Sequence, residues 1–147
     1  MTDSVNREDM SYENIRQMLN LYEIKAELCH GPHEYLKIDG PSGHPHILVV
    51  DSEKMLLIFQ MNFRLSFEES LSREEKLAFV NKLNSCVVVS RFFIPSDADE
   101  MLSSNYCIDY KDGVTSLQII DGLYALDMYT TYALEICDAT GLTTPPC

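Results

Sequence analysis

Residues 57–67 read Leu-Ile-Phe-Gln-Met-Asn-Phe-Arg-Leu-Ser-Phe. Every odd position is apolar, and the even positions after Ile58 are Gln60, Asn62, Arg64 and Ser66. A period of two means a β-strand with one face buried and one face wet. Around it, residues 46–94 read strand, turn, strand, helix, strand. The rest of the chain must cover the dry face.

Before this strand, residues 1–10 read as a loose tail. Ile15, Met18, Leu19 and Tyr22 then fall on one face of a helix. Ser11 is placed to cap it, and Met10 and Ile15 form a hydrophobic staple. The helix should end near residues 23–25. Tyr35-Leu36-Lys37-Ile38 reads as a strand, and residues 26–30 offer another, with Gly31-Pro32 as the turn between them. Residues 39–43 form a loop. His46-Ile47-Leu48-Val49-Val50 is a strand that turns through Asp51-Ser52-Glu53-Lys54 to pair with the long one as a hairpin.

After it, Ser72 and Glu75 make a capping box for a helix that should turn Leu77, Phe79, Val80 and Leu83 inward and stop near Asn84-Ser85. Residues 86–94 are strongly β-forming and end at Pro95. Residues 103–110 alternate again, with Tyr106, Ile108 and Tyr110 on one face, and Lys111-Asp112-Gly113 is a turn. Thr115 and Gln118 form a second capping box, with Val114 and Ile119 as a staple. The helix they open should run to about Cys137. Its apolar residues Leu117, Ile120, Leu123, Tyr124, Met128, Tyr132, Leu134 and Ile136 cover more than half its circumference. That is too wide for a helix with one covered face, so it should be sandwiched within this chain or against another. The order α-β-β-β-α-β-β-α predicts an α+β domain over residues 11–138, an antiparallel sheet with helices packed on one face. Residues 139–147 read as a second tail.

A chain of 147 residues suits one domain with its own core. Lys plus Arg total 11 against 23 Asp plus Glu, a net charge of −12. That balance repels nucleic-acid backbones and anionic lipid surfaces. No apolar run is long enough to cross a membrane. The polar, acidic first ten residues hold no secretory signal region. The cysteines, Cys29, Cys86, Cys107, Cys137 and Cys147, are odd in number and never spaced C-x-x-C. Cys86, Cys107 and Cys137 sit in apolar patterns, where a thiol acts as a small hydrophobe. A reduced, cytoplasmic protein without disulfides is the expectation.

No catalytic constellation emerges. His30, His33, His44 and His46 cluster in one segment beside Cys29, with H-x-x-H and H-x-H spacings that can hold a metal. The spacing is looser than that of closed zinc sites, so the histidines are expected to decorate loops and a strand edge, with no cofactor and no metal bound. Asp97, Asp99 and Glu100 lack the glycine and distal Glu of a calcium loop. Asp51 and Glu53 read as turn residues. Gly40-Pro41-Ser42-Gly43 has no Lys-Ser/Thr after it, so it is no phosphate loop, and no serine stands in G-x-S-x-G.

The run Glu75-Lys76-Leu77-Ala78-Phe79-Val80-Asn81-Lys82-Leu83-Asn84, then 87–94 with Arg91-Phe92, then Tyr106-Cys107-Ile108-Asp109-Tyr110, resembles the YbjN family. The shared pattern is a helix with V-N-x-L-N, a strand with an R-F pair, and a strand that turns into a final helix through a Gly-containing loop, here Asp112-Gly113-Val114-Thr115. These bacterial proteins are labelled sensory transduction regulators, and the resemblance spans about residues 12–137. It implies a fold like that of type III secretion chaperones: small, acidic, cytoplasmic homodimers that hold an extended segment of a partner. It brings no catalytic residues.

The expected function is a non-enzymatic protein-interaction module, a sensory transduction regulator or chaperone-like adaptor with a protein partner. The expected state is a homodimer, with Leu123, Tyr124, Met128 and Tyr132 as its interface or partner surface. One alternative is a dedicated type III secretion chaperone for a single effector. Another, of a different class, is a metal-dependent enzyme or sensor built on the four histidines.

Overall fold

A computed structural model of the chain describes residues 3–66, 71–137, 139 and 142–144. Strands β1 (Ser4–Val5), β2 (Ala26–Cys29), β3 (Tyr35–Asp39), β4 (Pro45–Asp51), β5 (Leu56–Leu65), β6 (Arg91–Phe93), β7 (Met101–Asp109), β8 (Val114–Thr115) and β9 (Thr143–Thr144) accompany helices α1 (Tyr12–Leu21), α2 (Arg73–Ser85) and α3 (Ser116–Ile136). The main sheet is antiparallel in the order β2-β3-β4-β5-β7-β6, and β9 adds to the end of β5. The fold is α+β, as the patterning predicts, with the optional strand at residues 26–29 formed.

The long strand sits at the centre, paired with β4 on one side and β7 on the other. Its odd residues Leu57, Phe59, Met61, Phe63 and Leu65 are buried. Their register partners extend the dry face: Leu48 opposite Phe59, Leu36 opposite Leu48, and Leu102 opposite Phe63. The three helices cover that face, and their buried residues join one continuous core. The opposite face carries Gln60, Asn62, Ser103 and Asn105. There the Asn62 side-chain oxygen accepts from Gln60 Nε2 and from Ser103 Oγ, each at 2.7 Å.

Helix starts follow the capping residues. Ser11 Oγ accepts from Asn14 N, and both capping boxes, Ser72/Glu75 and Thr115/Gln118, are closed in both directions. α1 ends in a Schellman motif, with Ile24 N donating to Leu19 O and Glu23 N to Asn20 O. Glu23 therefore holds φ +60°, in the left-handed region.

Several expectations are corrected. The first ten residues are not loose throughout: β1 pairs with β8, and Val5 is buried. In the C-terminal segment read as a tail, Ala139 is buried and β9 pairs with β5; residues 138, 140–141 and 145–147 lie outside the described set, as does Phe67 at the end of the alternating run. Leu77 faces outward, because α2 turns Val80 and Leu83 to the core and leaves Phe79 half-buried. The β-forming run 86–94 yields only β6. Cys86 caps α2, and residues 87–90 lead from the helix end to the sheet edge. At that edge Asn84 Nδ2 donates to Phe92 O at 3.0 Å and Asn84 Oδ1 accepts from Phe92 N at 2.7 Å. One amide thus satisfies the outward peptide groups of this edge strand, as a neighbouring strand would.

Candidate functional site

α3 has two faces of different character. Leu123, Leu126, Asp127, Thr130, Ala133 and Leu134 point to the sheet and are buried. Gly122 lets the helix lie close: a Cβ there would stand 3.0 Å from Ile108 Cδ1 and 3.1 Å from Tyr106 Cε1. The outer face carries Leu117, Tyr124, Met128, Tyr132 and Ile136, which are 62, 52, 59, 51 and 52% exposed. Their spacing of seven, four, four and four residues aligns them in one stripe. Leu123, expected with Tyr124, Met128 and Tyr132 at an interface, is instead a core residue. At 100° per residue it lies on the opposite side from Met128. α1 does not cover the stripe. It packs on β2 and β3 beside α3, joined to it by a 2.9 Å hydrogen bond between Tyr22 Oη and Ser116 Oγ.

Under this helix lies a buried polar cluster that sequence reasoning missed. Asp127 Oδ2 accepts from His46 Nε2 at 2.8 Å, from Ser42 Oγ at 2.8 Å and from Ser42 N at 3.4 Å. His46 is fully buried, and its Nδ1 has no partner. Burial pushes the Asp127 carboxyl up, but the bonds from His46 and Ser42 outweigh it and hold it below the ordinary value. Gly40 makes room for the imidazole: a Cβ there would stand 2.6 Å from His46 Nε2 and from His44 O. The residue types are those of a hydrolase triad, but the connections are not. Ser42 Oγ bonds the carboxylate rather than the imidazole, so His46 is not placed to withdraw its proton. The cluster instead ties the β3–β4 loop to α3. Two signals pointed to it: a carboxylate on the inner arc of an apolar helix, and a histidine in phase with buried Leu48.

The crystal structure of YbjN from E. coli, described as a candidate transcription regulator, matches with a TM-score of 0.71 over 92% of this chain and 97% of that one. The fold is that of YbjN. The sequences are 14% identical, so the likeness is one of fold. No family model matches the chain, and no curated protein sequence does.

Within this YbjN-like frame the four histidines do not converge. His30 lies at the β2–β3 turn, 3.1 Å from Glu34, and His33 is exposed on the same turn. His44 and His46 lie at the other end of β3, where the His44 ring meets Phe63 edge-on at 5.3 Å and His46 is taken by Asp127. Among the described residues no three His, Cys, Asp or Glu side chains are grouped to hold a metal ion. Asp51 caps the hairpin turn by accepting from Lys54 N, while Asp99 meets α2 through its backbone oxygen, which accepts from Lys76 Nζ at 3.0 Å, and its exposed carboxylate lies 3.9 Å from Arg73 Nη1. No helix among the described residues is long and apolar enough to cross a membrane.

Proposed function

We propose that this chain is a non-enzymatic regulator or adaptor that forms a homodimer and binds a protein partner, with the outer face of α3 as the docking surface. The observation that carries the reading is the stripe of Leu117, Tyr124, Met128, Tyr132 and Ile136, about half exposed on a helix whose inner face is core. Fully burying a large apolar side chain contributes roughly 1.5–3 kcal/mol, so covering these five, together worth nearly three fully exposed side chains, recovers roughly 4–8 kcal/mol per subunit. Two stripes meeting in an isologous dimer double that figure, which is the scale of the association cost of roughly 4–15 kcal/mol. A net charge of −12 favours a partner with basic patches over nucleic acid.

Light scattering at micromolar concentration should report twice the chain mass of 16.8 kDa. Met128→Lys, which places a charge at the centre of the stripe without touching the core, should return a folded monomer. A wild-type monomer at tens of micromolar removes the dimer. Partner binding has its own test: affinity capture from native lysate with the wild type should enrich a protein that Met128→Lys does not.

A further inference from the structure

Cys86 and Cys137 terminate two different helices, as the C-cap residues of α2 and α3, and their sulfurs lie 3.5 Å apart across 51 positions of sequence. Neither is in a disulfide. Both thiols point at one carbonyl: Cys86 Sγ donates to Lys82 O at 3.4 Å, and Cys137 Sγ approaches the same oxygen at 4.0 Å. Ser85 Oγ also donates to that carbonyl, at 2.6 Å.

We propose that Cys86 and Cys137 are a dithiol that closes to an intrachain disulfide when a small-molecule disulfide such as oxidised glutathione is present. A disulfide needs a sulfur separation of about 2.05 Å, so the sulfurs must approach by about 1.5 Å. Helix ends, where the repeating hydrogen bonds stop, give that movement through side-chain rotation and a small backbone shift. Closure removes both S–H donors, yet the Lys82 carbonyl keeps its bond from Ser85, so no buried acceptor is stranded. Cys86, half-buried, is the entry point, and Cys137, buried, is the resolving thiol. The Cys86 thiolate, its proton lost to water, attacks one sulfur of oxidised glutathione, forming a mixed disulfide and expelling one glutathione thiolate. The Cys137 thiolate then attacks Cys86 Sγ and expels the second. Two protein thiols are oxidised, one glutathione disulfide is reduced to two thiols, and the two protons end on the products or buffer. The bond clasps the end of α2 to the end of α3.

The test incubates the full chain with oxidised glutathione, blocks remaining thiols, and maps cross-linked peptides by mass spectrometry without reduction. A Cys86–Cys137 peptide pair lighter by two hydrogens is expected, with the melting midpoint raised by roughly 5–15 °C and restored by reductant. Cys86→Ala and Cys137→Ala should each lose the shift, and Cys107→Ala should keep it. Stable glutathione adducts on Cys86 with no closure, or a bond from either residue to Cys29, Cys107 or Cys147 in its place, overturns the proposal. The wild-type peptide map decides even if a variant fails to fold.

Discussion

Replacing Asp127 with alanine tests whether the buried cluster under α3 holds the β3–β4 loop to the helix. The substitution removes the acceptor of three hydrogen bonds. Ser42 is exposed, so its hydroxyl and amide turn to water at little cost. His46 cannot: it is fully buried, and its Nδ1 already lacks a partner, so loss of Asp127 leaves both ring nitrogens without one. A stranded buried donor costs about 1–3 kcal/mol, and the lost bond had a charged acceptor, worth about 1.5–3 kcal/mol net. Alanine returns about 0.5 kcal/mol of helix propensity. Because the two hydrogen-bond figures overlap, the expected loss is about 2–3 kcal/mol at neutral pH. In a chain of this size that lowers the melting midpoint by about 4–12 °C. The carboxyl is held below its ordinary value in the folded state. Its contribution is therefore complete above the unfolded carboxylate pKa of about 3.9 and fades as pH falls through the lower folded value. Thermal melts by circular dichroism from pH 3 to pH 8 should show the gap between wild type and Asp127→Ala narrowing only at the acid end. Equal midpoints at pH 7, or a gap of the same size at every pH, refutes the argument. Pairing Asp127→Leu with His46→Leu should recover most of the loss, because no stranded polar group then remains.

Glu23→Gly should stabilise the chain by about 0.5–1 kcal/mol, since φ +60° strains a residue with a Cβ; an unchanged urea midpoint contradicts the Schellman reading. Gly122→Val should cost about 1–3 kcal/mol by pushing α3 off Ile108 and Tyr106, whereas Gly122→Ala should be close to neutral, its tight contacts set against better helix propensity; a valine variant as stable as wild type would show that α3 has room to spare. Asn84→Ala should lose about 1–2 kcal/mol and raise turbidity on heating, because Phe92 then presents open peptide groups at the sheet edge; undiminished solubility and stability would assign the amide no protective role.

Local chemistry made much of this architecture legible in the chain. Strand β5, its hairpin with β4 and the two capping boxes follow from period-two alternation and from side chains that bond backbone groups three residues away. The wide apolar surface of the last helix is equally local, since 100° per residue puts Leu117, Tyr124, Met128 and Tyr132 on one side. Which apolar arc turns inward is not local. Leu123 is core and Tyr124 surface because Gly122, Ile108 and Tyr106 set how α3 lies on the sheet. The strand that did not form before β6 shows the same limit: Cys86 caps α2, so residues 87–90, despite their valine-rich propensity, carry the chain from the helix end to the sheet edge. His46 with Asp127, 81 positions apart, and Cys86 with Cys137, 51 apart, carry no mutual signature in the sequence. Such pairs exist only after the sheet register and the seating of α3 bring distant residues within 4 Å. Hydrogen bonds and sulfur chemistry act at that range, whereas periodicity reports only which face a residue occupies.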